Sequence, residues 1–344
     1  MLKKTREIWP DHKLGLVCRK GFGDFFLKTG LVDQVFEIQK GNSASYKGIV
    51  EHLKYAGVDN LISPHESVRT MFFCAKIKAN HKISFDKKWN LLFFSKRQKK
   101  NMVLPDAMRQ LSLLSYEDPQ LAKDLSDYAK NEEPYLPRQH GHLSAPPLWA
   151  SMSLRHKILQ NQNAFADLKE KLQLNNFDKK PVVLIFPGSV WATKRWTEEG
   201  FVASGKALQQ KGFQICVMGA KGEEELAERV AAAIPGSWCL AGKTSIYESA
   251  QVIAHSALVI GNDSASAHLA AVCETPLIAI FGPTILEFGY RPWSAQSYVV
   301  QNSKLACRPC GKHGHQECPL KTHECMKSIS AEEVLQTAGF ILRS

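Results

Sequence analysis

The sequence predicts an α/β protein built from two Rossmann-like domains, and three observations carry that expectation. Its 344 residues exceed the length, about 250–300 residues, at which a single core stops growing. Short runs that are apolar at every position, VVLIF at 182–186 and LIAIF at 277–281 the clearest, alternate with stretches of helical pattern. Strands this uniformly apolar are buried on both faces, which requires a parallel sheet with helices on each side. Between the halves, residues 133–147 carry four prolines and little periodicity, as a boundary does. The expected domains are 1–150 and 151–330, facing each other across a cleft, with a last helix at 331–344 packing back on the first domain.

Along the chain, Met1-Leu2-Lys3-Lys4 opens a helical pattern, and the apolar runs at 14–18 (LGLVC) and 35–38 read as strands with helices before and between them. Residues 71–104 mix aromatics with nine lysines and arginines and have no clean period. They read either as an amphipathic element near a membrane or as strands and loops with basic outer faces. A helix over 153–174 leads into the second domain. There, 182–186, 214–218, 257–260 and 277–281 are apolar runs, separated by helical stretches at 197–210, 223–233, 246–255 and 264–273. Ser330, followed by Glu332 and Glu333 in the first turn, starts the terminal helix.

Apolar residues make up 44% of the chain, enough for two cores. No run reaches the roughly 18 uncharged apolar residues of a membrane span, and MLKKTREIWPDHK lacks the apolar stretch of a signal peptide, so a cytoplasmic protein is expected. Charge is unevenly placed. Residues 1–100 hold 20 Lys and Arg against 9 Asp and Glu, while the remainder hold 24 of each. The whole net charge of +11 therefore sits in the first hundred residues, which fits an anionic partner for that domain or a solvated basic face. Cys18, Cys74, Cys216, Cys239 and Cys273 are scattered and read as small buried hydrophobes. Cys307, Cys310, Cys318 and Cys325 are clustered.

In a doubly wound sheet, ligands bind at the carboxyl ends of strands. Three loops there stand out. Phe186-Pro187-Gly188-Ser189-Val190-Trp191-Ala192-Thr193-Lys194-Arg195-Trp196 places small residues, hydroxyls and two cations ahead of a helix start. Backbone N–H groups, the helix dipole and Lys194 favour a diphosphate there; a solvated loop with capping hydroxyls is the plainer reading. Gly261-Asn262-Asp263-Ser264-Ala265-Ser266-Ala267-His268 repeats the strand, small-residue turn and helix. Asp263 or Ser264 caps that helix in either reading, and His268 lies one turn inside, on the side of Ser264 or Ala265. Gly282-Pro283-Thr284 closes the last strand.

Taken together, FPGSVWATKRW at 186–196, GNDSASAHLAA at 261–271, FGPT at 281–284 and CRPCGKHGHQECPLKTHECM at 307–326 resemble glycosyltransferase family nine, the ADP-heptose:lipopolysaccharide heptosyltransferases. The resemblance covers about residues 180–330 and extends weakly to PHESVR at 64–69. It implies the GT-B fold and transfer of a heptose, or a similar sugar, to a lipopolysaccharide inner core with inversion. By the resemblance Lys194, with Ser189 and Thr193 in the Pro187-Gly188 loop, holds the donor diphosphate. Glu223, after Gly219-Ala220-Lys221-Gly222, takes the ribose hydroxyls. Asp263, Ser264, Ala265 and His268 line the sugar-phosphate pocket, and Lys194 and Asp263 are the implied catalytic residues. Ser67 and Arg69 belong to the acceptor surface. The implied partners are an ADP-heptose-type donor, an anionic lipopolysaccharide core and, peripherally, the inner face of the inner membrane.

Departures from the family accompany these likenesses. Met1–Lys4 corresponds to the helix after the family's first strand, and the first strand found here resembles the family's second. The first strand, with the aspartate proposed as general base, is therefore expected to be missing, either because the start lies upstream or because the chain is a degenerate binder of nucleotide-sugar or anionic glycolipid. Asp24, in Gly21-Phe22-Gly23-Asp24, follows the wrong strand for that base. The cysteine cluster has the ligand count for zinc but not the spacing of a finger or ribbon, so a structured loop of free or paired thiols is expected and no metal or cofactor is assigned. No intact glycine fingerprint supports an epimerase, and no binding module supports nucleic acid.

Overall fold

The computed structural model describes residues 1–39, 41–130, 153–292, 294 and 296–342. The proline-rich passage at 133–147 and the boundary expected at 150 lie outside them. By its internal contacts the chain divides into Met1–Glu132 and Glu133–Ser344.

The first unit runs α1 (Leu2–Ile8), β1 (Gly15–Arg19), α2 (Gly23–Lys28), β2 (Gln34–Ile38), α3 (Ser43–Ala56), β3 (Asn60–Ser63), α4 (Val68–Ala75), β4 (His81–Phe85), β5 (Lys96–Gln98), α5 (Asp106–Leu111) and α6 (Pro119–Lys130). Residues 71–104 have no clean period because they hold the end of one helix, a five-residue strand, a 3-10 turn at Lys88–Asn90 and a three-residue strand. Ile83 and Phe85 of β4 are fully buried, whereas all three positions of β5 are half-buried.

All strand pairs in this unit are parallel, but they form two separate sheets, β1-β2 and β3-β4-β5. Between them lies a cavity of about 1330 Å³ lined by Gly15–Arg19 of β1, Asn60–Ser63 of β3, and Met1, Leu2 and Thr5 at the start of α1. Leu16, Val17 and Cys18 are only half-buried in consequence.

The second unit runs α7 (Arg155–Leu159), α8 (Gln162–Lys171), β6 (Val182–Phe186), α9 (Glu198–Gln210), β7 (Gln214–Val217), α10 (Glu224–Ala232), β8 (Trp238–Cys239), α11 (Ile246–Ala254), β9 (Leu258–Asn262), α12 (Ala265–Val272), β10 (Leu277–Phe281), β11 (Ser297–Gln301), α13 (Glu324–Lys327) and α14 (Ala331–Ile341). Its single parallel sheet has the order β11-β10-β9-β6-β7-β8. Chain order runs outward from β6 to β7 and β8, then crosses to β9, β10 and β11. The helix expected over 153–174 is two helices, because the Asn161 side chain caps the second by accepting from the Ala164 N–H at 3.2 Å.

The terminal helix α14 lies on α9, β10 and β11, with Val334, Ala338 and Ile341 in the core of its unit. The cause is the sheet itself, since a parallel sheet must be covered on both faces. The helix starts at Ser330 as expected, and Ser330 and Glu333 form a capping box there.

Candidate functional site

Doubly wound sheets open a crevice where the chain reverses direction across the sheet, here between β6 and β9, which pair directly. The loops after these two strands leave side by side, and a buried amide joins them. The Asn262 Nδ2 donates to the carbonyl oxygens of Pro187 at 2.9 Å and Gly188 at 3.2 Å, and its Oδ1 accepts from the Trp196 N–H at 2.9 Å. Asn262 ends a strand whose five residues are all buried, so its amide has to find partners inside the protein. An amide at the end of an apolar strand was the available signal for this residue, and sequence reasoning passed over it as a site residue.

At the floor of the crevice, the Lys194 Nζ stands 2.5 Å from the Asp263 Oδ2, which also accepts from the Thr284 Oγ at 2.7 Å. Lys194 and Asp263 are 9% and 6% exposed. The loops after β6, β9 and β10 thus meet in one buried cluster. Asp263 is committed to this cluster, so it makes no helix cap, and Ser264 takes the N-cap position of α12 without a side-chain cap hydrogen bond. The Ser264 and Ser266 hydroxyls lie 2.8 Å apart at that N-terminus. Ala265 and His268 are exposed on α12.

Two further expected residues come together at the β7 side. An ideal Cβ placed on Gly188 would stand 2.3 Å from the Glu223 Cδ, so the loop after β6 approaches the Glu223 carboxylate as closely as only a glycine allows. The Glu223 Oε2 also accepts from the Ala220 N–H at 2.8 Å. Ser189 is buried, and its carbonyl accepts from the Arg195 Nε at 2.9 Å.

Thr193 is differently engaged. Its hydroxyl donates to the His315 carbonyl at 2.7 Å and accepts from the His315 N–H at 2.8 Å, while the Gln316 side chain donates to the Val190 carbonyl at 3.0 Å. The cysteine-rich segment therefore packs on the loop after β6 and holds it. Cys307, Cys310, Cys318 and Cys325 are all free thiols, and among the described residues no group of three or more His, Cys, Asp or Glu could hold a metal ion. Burial raises the Cys325 thiol to about 11. The Cys318 thiol is lowered: burial opposes this, but N–H donors led by His323 outweigh it.

In the first unit, Ser67 caps α4, its Oγ accepting from the Thr70 N–H at 3.2 Å, and both Ser67 and Arg69 line the large cavity. None of the residues of the β6 and β9 loops lines that cavity. Asp24 lies in the first turn of α2 in an exposed pair with Lys28 at 3.0 Å, a helix-surface arrangement.

A family model described as glycosyltransferase family 9 (heptosyltransferase) matches residues 48–321, a span that holds the loops after β6, β7, β9 and β10. The chain belongs to glycosyltransferase family 9. Among curated family relatives, lipooligosaccharide heptosyltransferase 2 of Campylobacter jejuni serotype O:2 is 33% identical over 192 residues, covering 52% of this chain and 59% of that protein. Lipopolysaccharide heptosyltransferase 2 of Salmonella typhimurium is 27% identical over 161 residues, 44% of this chain and 46% of that protein. The matches thus span about half the length of these relatives. The fold is that of solved family structures: E. coli ADP-heptose lipopolysaccharide heptosyltransferase II superposes with a TM-score of 0.73 at 16% identity, covering 99% of this chain and 93% of that one. The Veillonella parvula family 9 protein gives 0.76 at 18% identity, covering 99% and 92%.

Proposed function

We propose that this family 9 chain transfers a heptose, or a similar sugar, from an ADP-linked donor to the inner core of lipopolysaccharide, with inversion at the anomeric carbon, at the inner face of the inner membrane. The observation that carries the reading is the buried Lys194–Asp263–Thr284 cluster at the switch point, flanked by the N-terminus of α12 on one side and by Gly188 against Glu223 on the other.

The chemistry follows from those positions. An acceptor hydroxyl attacks the anomeric carbon as the bond from that carbon to the diphosphate oxygen breaks, and the electron pair leaves with the diphosphate. Negative charge then grows on the leaving group. The ammonium of Lys194 has three donors, of which the Asp263 carboxylate takes one and the Asp263 carbonyl oxygen another at 3.4 Å, so the third can face a phosphate oxygen. Asp263 and Thr284 hold that ammonium in place, while the helix N-terminus adds its dipole and N–H groups. Glu223, drawn in by Gly188, takes the ribose hydroxyls, and Ser189, Ser264, Ala265 and His268 line the rest of the donor pocket. Thr193 serves by fixing the loop through His315. Ser67 and Arg69 belong to the acceptor side, in the basic first unit.

A second reading is a binder of nucleotide-sugar or anionic glycolipid that does not turn the donor over. ADP release from ADP-heptose in the presence of heptose-deficient lipopolysaccharide separates the two readings. Transfer is expected to fall about 100-fold or more in Lys194→Ala, the scale of losing one preorganised donor to a developing anion. An unchanged rate in that variant refutes the donor assignment, and donor binding without ADP release in the wild type favours the binder.

A further inference from the structure

Strands β3, β4 and β5 are parallel, so the loops that follow them leave the same edge of their sheet. One carboxylate ties the three loops together. Glu66, after β3, meets the Lys87 Nζ at 3.2 Å and the Lys100 Nζ at 2.7 Å, which belong to the loops after β4 and β5. Burial opposes it, yet the two ammonium groups hold the Glu66 carboxyl below its ordinary value.

The β4 loop is anchored from beneath. The buried Asn90 donates to the Phe85 carbonyl at 2.9 Å, and Phe94 packs into a cluster with Met71 and Cys74. Between and beside these anchors the apolar side chains point outward: Trp89 is 42% exposed, Leu91 61%, Leu92 85% and Phe93 36%, and on the β5 loop Met102 is 58% and Val103 46% exposed. Four large apolar groups within five residues, on a loop held by its own core contacts, form a built apolar edge, larger than the scattered single hydrophobes of an ordinary surface. Lys88 and Lys99 are exposed at its margins.

This composition selects the partner. Protein interfaces are depleted in lysine, and aliphatic Leu91 and Leu92 offer nothing to a nucleic acid. Aromatic and aliphatic side chains bordered by lysines suit a bilayer surface, where the apolar groups enter the headgroup boundary and the ammonium groups meet anionic lipid. We propose that the carboxyl edge of the β3-β4-β5 sheet docks on an anionic lipid surface, with Trp89, Leu91, Leu92 and Phe93 entering the headgroup region and Lys88 and Lys99 meeting the lipid anions. The inference extends the acceptor reading of the same edge, since Ser67 and Arg69 follow Glu66 directly, and it names the residues by which a lipid-anchored acceptor is approached.

The test is co-sedimentation of the full chain with vesicles of phosphatidylglycerol and phosphatidylethanolamine, and with phosphatidylcholine vesicles. Binding is expected to the anionic vesicles alone and to weaken with salt. Leu91→Asp/Leu92→Asp should lower partition at least tenfold without altering the thermal transition, because both side chains already face solvent. Lys88→Ala and Lys99→Ala should each lower it about fivefold. Absence of binding to anionic vesicles, or equal binding by the double leucine variant, overturns the proposal. Concentration-dependent self-association that the leucine variant abolishes also overturns it, because the edge then joins proteins. Sugar transfer is not read in this assay, so failure of the transferase reading and failure of the docking proposal remain distinguishable.

Discussion

Replacing Asp263 by Asn keeps the shape of the side chain and an acceptor for the Thr284 hydroxyl while removing the charge opposite Lys194. With the pair 6% and 9% exposed, the Lys194 ammonium would be left buried and uncompensated. Breaking a buried pair from one side costs about 3–5 kcal/mol, most of it the desolvation of the surviving ion. In a domain of about 200 residues each kcal/mol lowers the melting temperature by about 2–4 °C, so the second unit should melt about 6–20 °C earlier. Lys194→Met/Asp263→Asn removes both charges and should recover at least half of that loss, because replacing a whole buried pair is often close to neutral. Scanning calorimetry of the full chain, following the transition of the second unit, reads all three proteins. A loss below about 1 kcal/mol in the single variant, or a double variant that loses the sum of both singles, refutes the argument that the carboxylate is there to hold a buried ammonium.

Three further outcomes are expected. Gly188→Ala places a methyl group against the Glu223 carboxylate, which must swing aside; ADP affinity measured by calorimetry should fall about tenfold while stability changes little, and Gly188→Ala should add nothing in a Glu223→Ala background. In hydrogen exchange, amides of Leu16–Cys18 and Leu61–Ser63 that face the cavity should exchange far faster than those of Val183–Ile185, which are paired on both sides; equal protection would show that β1 and β3 are not open toward each other. Iodoacetamide at pH 7.5 followed by mass spectrometry should label Cys318 ahead of Cys310 and Cys325, because N–H donors lower the first thiol while burial raises the other two. Equal labelling would refute that ranking.

The sequence by itself determined the layered α/β class and the family, because both are written in local signals. A run such as VVLIF, five residues long, rich in β-branched side chains and bounded by prolines, reads as a strand buried on both faces, and the small-residue loops after such strands announce the carboxyl edge where ligands bind. It also marked Lys194, Asp263, Gly188 and Glu223 as residues of interest. What it did not carry is pairing across distance. Nothing in the local sequence says that Asp263 closes on Lys194 and Thr284, that Asn262 stitches two loops, or that the cysteine-rich segment is there to hold Thr193 through His315. The short strands β5 and β8, three and two residues long, leave no period to read, since their place is set by the neighbour they pair with. The terminal helix was legible as a helix, from Ser330 and the acidic first turn after it, while the strands it covers within its unit are a matter of tertiary structure. An apolar stripe says only that something must cover it, and the uncovered face of the β10-β11 sheet in its own unit decided what that something was.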